Sequence, residues 1–313
     1  MTENSKQYGL NDKEREEWYE NVVKPFFLEG KQKSSKPVFV LLTGQPGAGK
    51  TTASAKYAQM LNPEPVKFSG DEIRSLLPYA GDLLENNPSE YPFATKADMS
   101  WARQKLVTDT FNAGYNLQMD SILSNPNDWR MGTLLEAKKA GYRVECVALG
   151  VHRYLSEVSM FARREEQIKS IGVGFPVTMP PHDMAYELLP DVVSRMYREG
   201  IADKVSVYNR VFENYYDTDK VNNPNKNQTS NEIVQSIIKS RDDYLSKDSL
   251  NYIQATWGNV YQNMIDREAP SEQLREAASY YTAFRKNSGI YLVSKENPGL
   301  SALIAAKKGN TGK

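Results

Sequence analysis

The sequence contains one cysteine, Cys146, which excludes an intramolecular disulfide framework and an all-cysteine metal site. Histidine is nearly as scarce, and His152 and His182 are too few for a histidine-rich metal centre. Neither sign of charge dominates: 39 Lys plus Arg stand against 39 Asp plus Glu. No overall field therefore argues for nucleic acid or an anionic membrane as a partner. No apolar run approaches the roughly 20 residues that cross a bilayer. The opening MTENSKQYGLNDKEREEW lacks the basic-then-apolar order of a secretory leader, so a reduced, cytoplasmic setting is expected. What is present is ordinary globular material: 313 residues, 40% hydrophobic and 25% charged. That is enough for one large domain, or for a core domain with a helical addition.

Asn11, with Glu14 three residues later, reads as a helix cap, after which Trp18, Val22 and Phe26 recur at helical spacing with Pro25 near the end. Pro37–Thr43, PVFVLLT, is a short apolar run predicted as a buried strand. A glycine-rich turn and a helix-forming run, TTASAKYAQM, follow it. The alternation then repeats. PVKF before Gly70, Tyr115–Asp120, Tyr142–Gly150 and Lys204–Asn209 read as strands. Trp101–Ala113, Leu134–Lys139, Tyr154–Lys169 and Asp183–Arg198 read as helices between them. This order predicts an α/β fold, a mostly parallel sheet with helices on both faces. The polar stretch 217–231 is expected to link a domain over 1–216 to a helical C-terminal region of unassigned role over 232–313.

Gly44-Gln45-Pro46-Gly47-Ala48-Gly49-Lys50-Thr51 satisfies GxxxxGK[ST] in full, with a strand before it and a helix after it. Such a loop curls so that successive backbone N–H groups converge on phosphate oxygens, and the helix start adds unpaired donors. Lys50 would reach the β and γ phosphates, and the Thr51 hydroxyl would hold Mg²⁺. Thr52 belongs to the same run. The chain thus falls in the P-loop NTPase or kinase class, with ATP and Mg²⁺ as expected cofactors.

A phosphate loop is shared by motors, switches, hydrolases and kinases, so the surroundings decide. Asp71 follows VKFSG at the predicted carboxyl end of the second strand, where ligands collect in open α/β sheets. A carboxylate there can orient an attacking hydroxyl and take its proton. It can equally cap the helix that GDEIR begins. Arg74, one helical turn on, could meet phosphate or substrate. Asp120 repeats the placement at the end of YNLQMD, with the same capping alternative. Arg163 and Arg164 supply cations for the transferring phosphate; they point about 100° apart on a helix, so one of the two is expected to face the site. His152 and His182 read as packing or surface groups, and Cys146, among apolar neighbours, as a buried inert thiol. The aromatics of AASYYTAF and EREEWYENVVKPFF lack basic interleaving and read as helix-packing faces.

In this order these segments resemble the zeta-toxin family of bacterial toxin–antitoxin systems, kinases of UDP-N-acetylglucosamine and related UDP-sugars. The resemblance runs over roughly residues 10–215, through LNDKEREEWYENVVKPFF, VLLTGQPGAGKTT, FSGDEIR, GYNLQMD, AKKAGYRVECVALGV and the stretch from PPHD to KVSVYNR. It implies that Lys50 and Thr51 are the phosphate-loop pair and that Asp71 activates a sugar 3′-hydroxyl. Where the family has a glutamate followed by Gly-Thr-x-Arg, this chain reads Asp120-Ser121-Ile122-Leu123-Ser124. The acid is one methylene shorter, and the threonine and arginine are missing. Gln104 stands near a position where a substrate-contacting glutamate is expected. Arg163 or Arg164 matches the first of two lid arginines, and Lys169 lies near the second. The resemblance also implies a small antitoxin that blocks the nucleotide site.

Together these features predict an ATP-dependent kinase, with a UDP-N-acetylhexosamine as acceptor held by Arg74, Gln104, Asp120 and Ser124. A P-loop kinase for another small acceptor, or an ATP-driven switch module, are the alternatives.

Overall fold

A computed structural model describes residues 8–123, 129–174, 177, 179–221, 225–243 and 247–288. Helix α1 (Asp12–Trp18) opens on the expected capping box: Glu14 N–H donates to Asn11 Oδ1 at 3.0 Å, and Asn11 N–H to Glu14 Oε2 at 2.8 Å. A π turn, Tyr19–Val23, joins it to α2 (Lys24–Leu28). The wide turn rotates the apolar face by about one residue. Trp18 is buried, but Tyr19, Val23 and Phe27 then take the inner side, while Val22 and Phe26 are exposed.

Strand β1 (Val38–Thr43) leads into α3 (Lys50–Ala58), and β2 (Val66–Phe68) into α4 (Gly70–Ser75). Then come α5 (Ala80–Asn86), α6 (Tyr91–Ala94), α7 (Lys96–Ala113), β3 (Leu117–Ser121), α8 (Trp129–Lys139) and β4 (Arg143–Leu149). Helices α9 (Arg153–Ile171) and α10 (Met179–Arg198) precede β5 (Lys204–Tyr208) and β6 (Asn214–Asp217). Three helices follow: α11 (Lys226–Asp242), α12 (Lys247–Asp266) and α13 (Ser271–Ser288).

The six strands form one sheet in the order β2-β3-β1-β4-β5-β6, parallel except for the β5–β6 pair. Leu42 of β1 lies opposite Asp120 of β3 and Val147 of β4, so the carboxyl ends of the central strands are level. The strand order reverses at β1, which places the following loop at a switch point, where open sheets leave a crevice. The mostly parallel α/β architecture expected from the sequence is therefore the one observed.

Several boundaries differ. Strand β6 follows the strand read as last, turning back through a loop in which Phe212 adopts φ 71°. Helices α7, α8, α10 and α11 begin earlier than apolar spacing suggests. At α10, Pro180 and Pro181 sit in the first turn, where a missing N–H costs nothing. The Asn225 side chain accepts from Asn227 and Gln228 N–H at the head of α11. The stretch 217–231 expected as a linker thus holds the end of β6, a 3₁₀ turn and the first residues of α11.

The period-two alternation of β1 divides the core. Phe39 and Leu41 join one cluster with Phe27, Phe68, Leu106 and Val193, and Val40 and Leu42 join another on the opposite face. The second cluster is closed by Trp257, Tyr261, Tyr281 and Phe284 of α12 and α13, so the C-terminal helices complete one covered face of the sheet. Cys146 is buried in the first, and burial pushes its thiol up to about 12, as befits an inert group. No helix among the described residues is long and apolar enough to cross a membrane.

Candidate functional site

A cleft of about 810 Å³ opens at the carboxyl edge of the sheet, around the loop between β1 and α3. The loop is built for close approach. Gly47 has φ 76°, and a Cβ there would lie 2.0 Å from the Ser156 carbonyl oxygen, so only glycine fits. Gly49, φ 88°, precedes α3 with no side-chain cap, and the N–H groups at the head of a helix suit an anion. Lys50 Nζ donates to Gly44 O at 2.8 Å and Gln45 O at 3.1 Å, holding the ammonium across the loop. Pro46, Gly47, Gly49, Lys50 and Thr51 line the cleft.

Other members of the motif support the loop from beneath. Gly44 and Ala48 are buried, and so is Gln45, whose Nε2 donates to Val151 O at 2.7 Å and Ser156 Oγ at 3.2 Å. That side chain ties the loop to the head of α9, so Gln45 can offer a ligand only its backbone. Thr52 is exposed on α3 and does not line the cleft.

Asp71 stands across from the loop in the first turn of α4. The helix is capped by Ser69 with Glu72 as the reciprocal partner, which leaves the Asp71 carboxylate free of that task. Its Oδ1 accepts from Arg74 Nη1 at 2.9 Å and its Oδ2 from Arg163 Nη2 at 3.0 Å. Arg74 is in turn fixed by Thr95 Oγ1 at 3.1 Å, and it does not line the cleft. Its observed partner is thus Asp71. Asp120 opens to the cleft at the end of β3; desolvation by its surroundings raises its carboxyl above the ordinary range, with the Lys50 charge pulling the other way.

The two candidate arginines of α9 separate cleanly. Ser159, Ala162, Arg163 and Glu166 form the helical stripe that faces the cleft. Arg164 faces the other way, buried, with Nη1 3.3 Å from Glu276 Oε2 of α13. Expected as catalytic, it is instead a packing residue. The neighbouring Glu165 is held by Arg267, at the end of α12, through contacts of 2.6 and 2.9 Å. The back of α9 is thus clamped to the C-terminal helices by two ion pairs of opposite polarity.

One further expectation meets a different placement, and another lies beyond what the structure describes. Gln104 is exposed on α7 and away from the cleft, and no α7 residue lines it. Ser124 lies outside the described residues. The histidines are structural: His152 Nδ1 accepts from Tyr154 N–H at the cap of α9, and burial lowers the ring to about 4. His182 sits buried between Ser156 Oγ at 2.8 Å and Asp183 Oδ1 at 3.0 Å, its pKa also lowered by burial.

Arg210, Tyr252 and Thr256 line the cleft without having been foreseen. Arg210 lies two residues past the end of β5 and donates from Nη1 to Gly47 O. The strand-end rule that singled out Asp71 applies to it equally. Tyr252 and Thr256 come from α12, and no local motif marks them.

Comparison with known proteins follows the same pattern. The zeta toxin family model matches residues 27–221. The chain is 27% identical over 190 residues to Toxin PezT of Streptococcus pneumoniae, covering 60% of this chain and 75% of that protein. It is 21% identical over 185 residues to Toxin zeta of Enterococcus hirae, covering 58% of this chain and 64% of that one. A solved structure from the PezAT chromosomal toxin–antitoxin system of S. pneumoniae superposes with a TM-score of 0.67 at 23% identity, covering 81% of this chain and 98% of its own. The superposition shows a shared fold. With the family model spanning more than half of the sequence, the chain belongs to the zeta toxin family.

Proposed function

We propose that the protein is an ATP-dependent kinase that transfers the γ-phosphoryl group to a hydroxyl of a small acceptor, a UDP-N-acetylhexosamine at its 3′ position, and acts as a zeta-type toxin. The observation that carries this reading is the placement of the Asp71 carboxylate in one cleft with Lys50 and Arg163. The loop fits a polyphosphate: Gly47 and Gly49 admit no side chain without strain, and the head of α3 is uncapped. Thr51, whose side chain lines the cleft, would hold Mg²⁺, and the metal would offset charge on the β and γ oxygens.

In this mechanism the acceptor hydroxyl docks beside Asp71 on the β2/β3 side of the loop. As its oxygen bonds to the γ-phosphorus, the bond from that phosphorus to the β–γ bridging oxygen breaks and ADP leaves. The hydroxyl proton passes to Asp71 Oδ2. Lys50 and Arg163 neutralise charge on the phosphoryl oxygens, which requires Arg163 to exchange its bond to Asp71 for one to phosphate. Asp120 holds the acceptor. A small antitoxin covering the nucleotide site would restrain the activity.

The shorter acid at Asp120, with Ser121 and Ile122 beside it in the cleft, favours testing other acceptors too. Purified protein with ATP–Mg²⁺ and separate UDP-sugars, nucleosides and nucleotides would be read by mass for a gain of one phosphoryl group. ATP turnover to ADP with every acceptor left unmodified contradicts the kinase reading. Phosphorylation of a nucleoside in preference to every UDP-sugar contradicts the acceptor.

A further inference from the structure

The strand order divides the cleft at the phosphate loop. On one side, the carboxylates of Asp71, after β2, and Asp120, near the end of β3, face the cleft; on the other stand Arg210, after β5, and Arg163 and Glu166 of α9, which follows β4. Carboxylates repel a polyphosphate, which disfavours the β2/β3 side for the remainder of the nucleotide. A nucleoside triphosphate held by its β and γ phosphates at the loop must then carry its sugar and base toward the β4/β5 side.

That side is walled by α9 and by α12, which packs along it. Most large apolar residues of α12 point inward: Ile253, Trp257, Val260, Tyr261 and Met264 are all buried. Tyr252 breaks the pattern. It is 52% exposed, and it is the one aromatic ring among the described residues that line the cleft. One turn on, Thr256 donates its hydroxyl to Tyr252 O at 2.8 Å and lines the cleft beside it. A half-open phenol ring at the wall of a polar cleft is a stacking surface for a flat π system, and such stacking is sequence-tolerant because every base has a π face.

We infer that Tyr252 is the platform for the base of the bound nucleoside triphosphate, so that α12 forms part of the nucleotide site. Tyr252 lies beyond residues 27–221, the span of the family model. The inference rests on the reading of Gly44–Thr51 as a nucleoside triphosphate loop, but not on phosphoryl transfer or on any acceptor.

Titration calorimetry on the full chain tests it, with ATP and with inorganic tripolyphosphate, which has no base, each in the presence of Mg²⁺. Tyr252→Ala should weaken ATP binding by about tenfold and leave tripolyphosphate binding unchanged. Tyr252→Phe should bind ATP as the parent does, because the ring face is retained. Thermal melting of both variants should match the parent, the side chain being half exposed. Equal weakening toward both ligands, or unchanged ATP binding in Tyr252→Ala, overturns the platform. So does a parent chain that binds tripolyphosphate as tightly as ATP. Normal binding behaviour in a protein that phosphorylates no acceptor would overturn the kinase reading and leave this one standing.

Discussion

Arg163 on α9 reaches Asp71 on α4, with Nη2 3.0 Å from Oδ2, so the cation and the carboxylate of the site neutralise one another across the cleft. Both groups are well exposed, at 64% and 46% for their side chains, so the pair adds little to stability. Its significance is positional: it brings together the two charges on which the proposed phosphoryl transfer relies.

Arg163→Ala should therefore lower phosphoryl transfer by about 10²–10³-fold with little change in melting temperature. Arg164→Met should do the reverse. Its guanidinium is buried against Glu276, and losing that contact is expected to cost about 1–3 kcal/mol of stability while the folded fraction keeps its turnover. Steady-state kinetics and thermal melting of the two variants, side by side, check the assignment.

The clamp on the back of α9 has its own signature. Glu165 is almost fully buried, and Arg267 holds both of its oxygens. Arg267→Met leaves the buried Glu165 only the 3.4 Å contact from Arg164 Nε, so it should destabilise by up to about 3–5 kcal/mol. Glu165→Gln added to it should recover part of that loss, since the buried charge is gone. A double-mutant cycle from urea unfolding measures the coupling; additive losses would show that the pair does not act as a unit.

How much of this was legible in sequence depends on how local each signal is. The phosphate loop is eight consecutive residues, and its strand and helix context is short-range, so Lys50 and Thr51 lie where the motif puts them. Asp71 and Asp120 were visible because both lie at the carboxyl ends of strands, Asp71 just past β2 and Asp120 near the end of β3. Choosing between Arg163 and Arg164 needed the rotation of α9 on its neighbours, which periodicity alone does not fix. Tyr252 depended on α12 folding back over a face whose last buried strand residue is some 40 positions earlier, at Tyr208. The inner face of the N-terminal helix was displaced by a π turn that no spacing rule foresees. Gln104 was placed by resemblance, and α7 turns it to solvent.

Acid should weaken the fold through the histidines. Burial lowers His152 from 6.5 to about 4, while Asp242 nearby acts in the opposite sense. Between those limits the unfolded chain takes up a proton that the folded one refuses, so stability falls as pH drops through this window. The loss for His152 is on the order of 3 kcal/mol. His182 acts in the same direction. His152→Asn keeps a capping acceptor at the head of α9 and has no proton to gain. Its stability should fall less between pH 7 and pH 4, measured by urea unfolding across the range; a profile identical to the parent's would remove His152 as a cause.

The role of Asp71 is tested most directly by Asp71→Asn, a change of one atom that keeps the shape and removes the charge. ATP affinity from calorimetry and the rate of phosphoryl transfer in a single turnover are measured on the same preparation. If this carboxylate takes the proton of the acceptor, transfer falls by about 10²-fold or more while ATP binds within a few-fold of the parent. Transfer at the parental rate, or a loss of ATP binding as large as the loss of transfer, would contradict a proton-accepting Asp71.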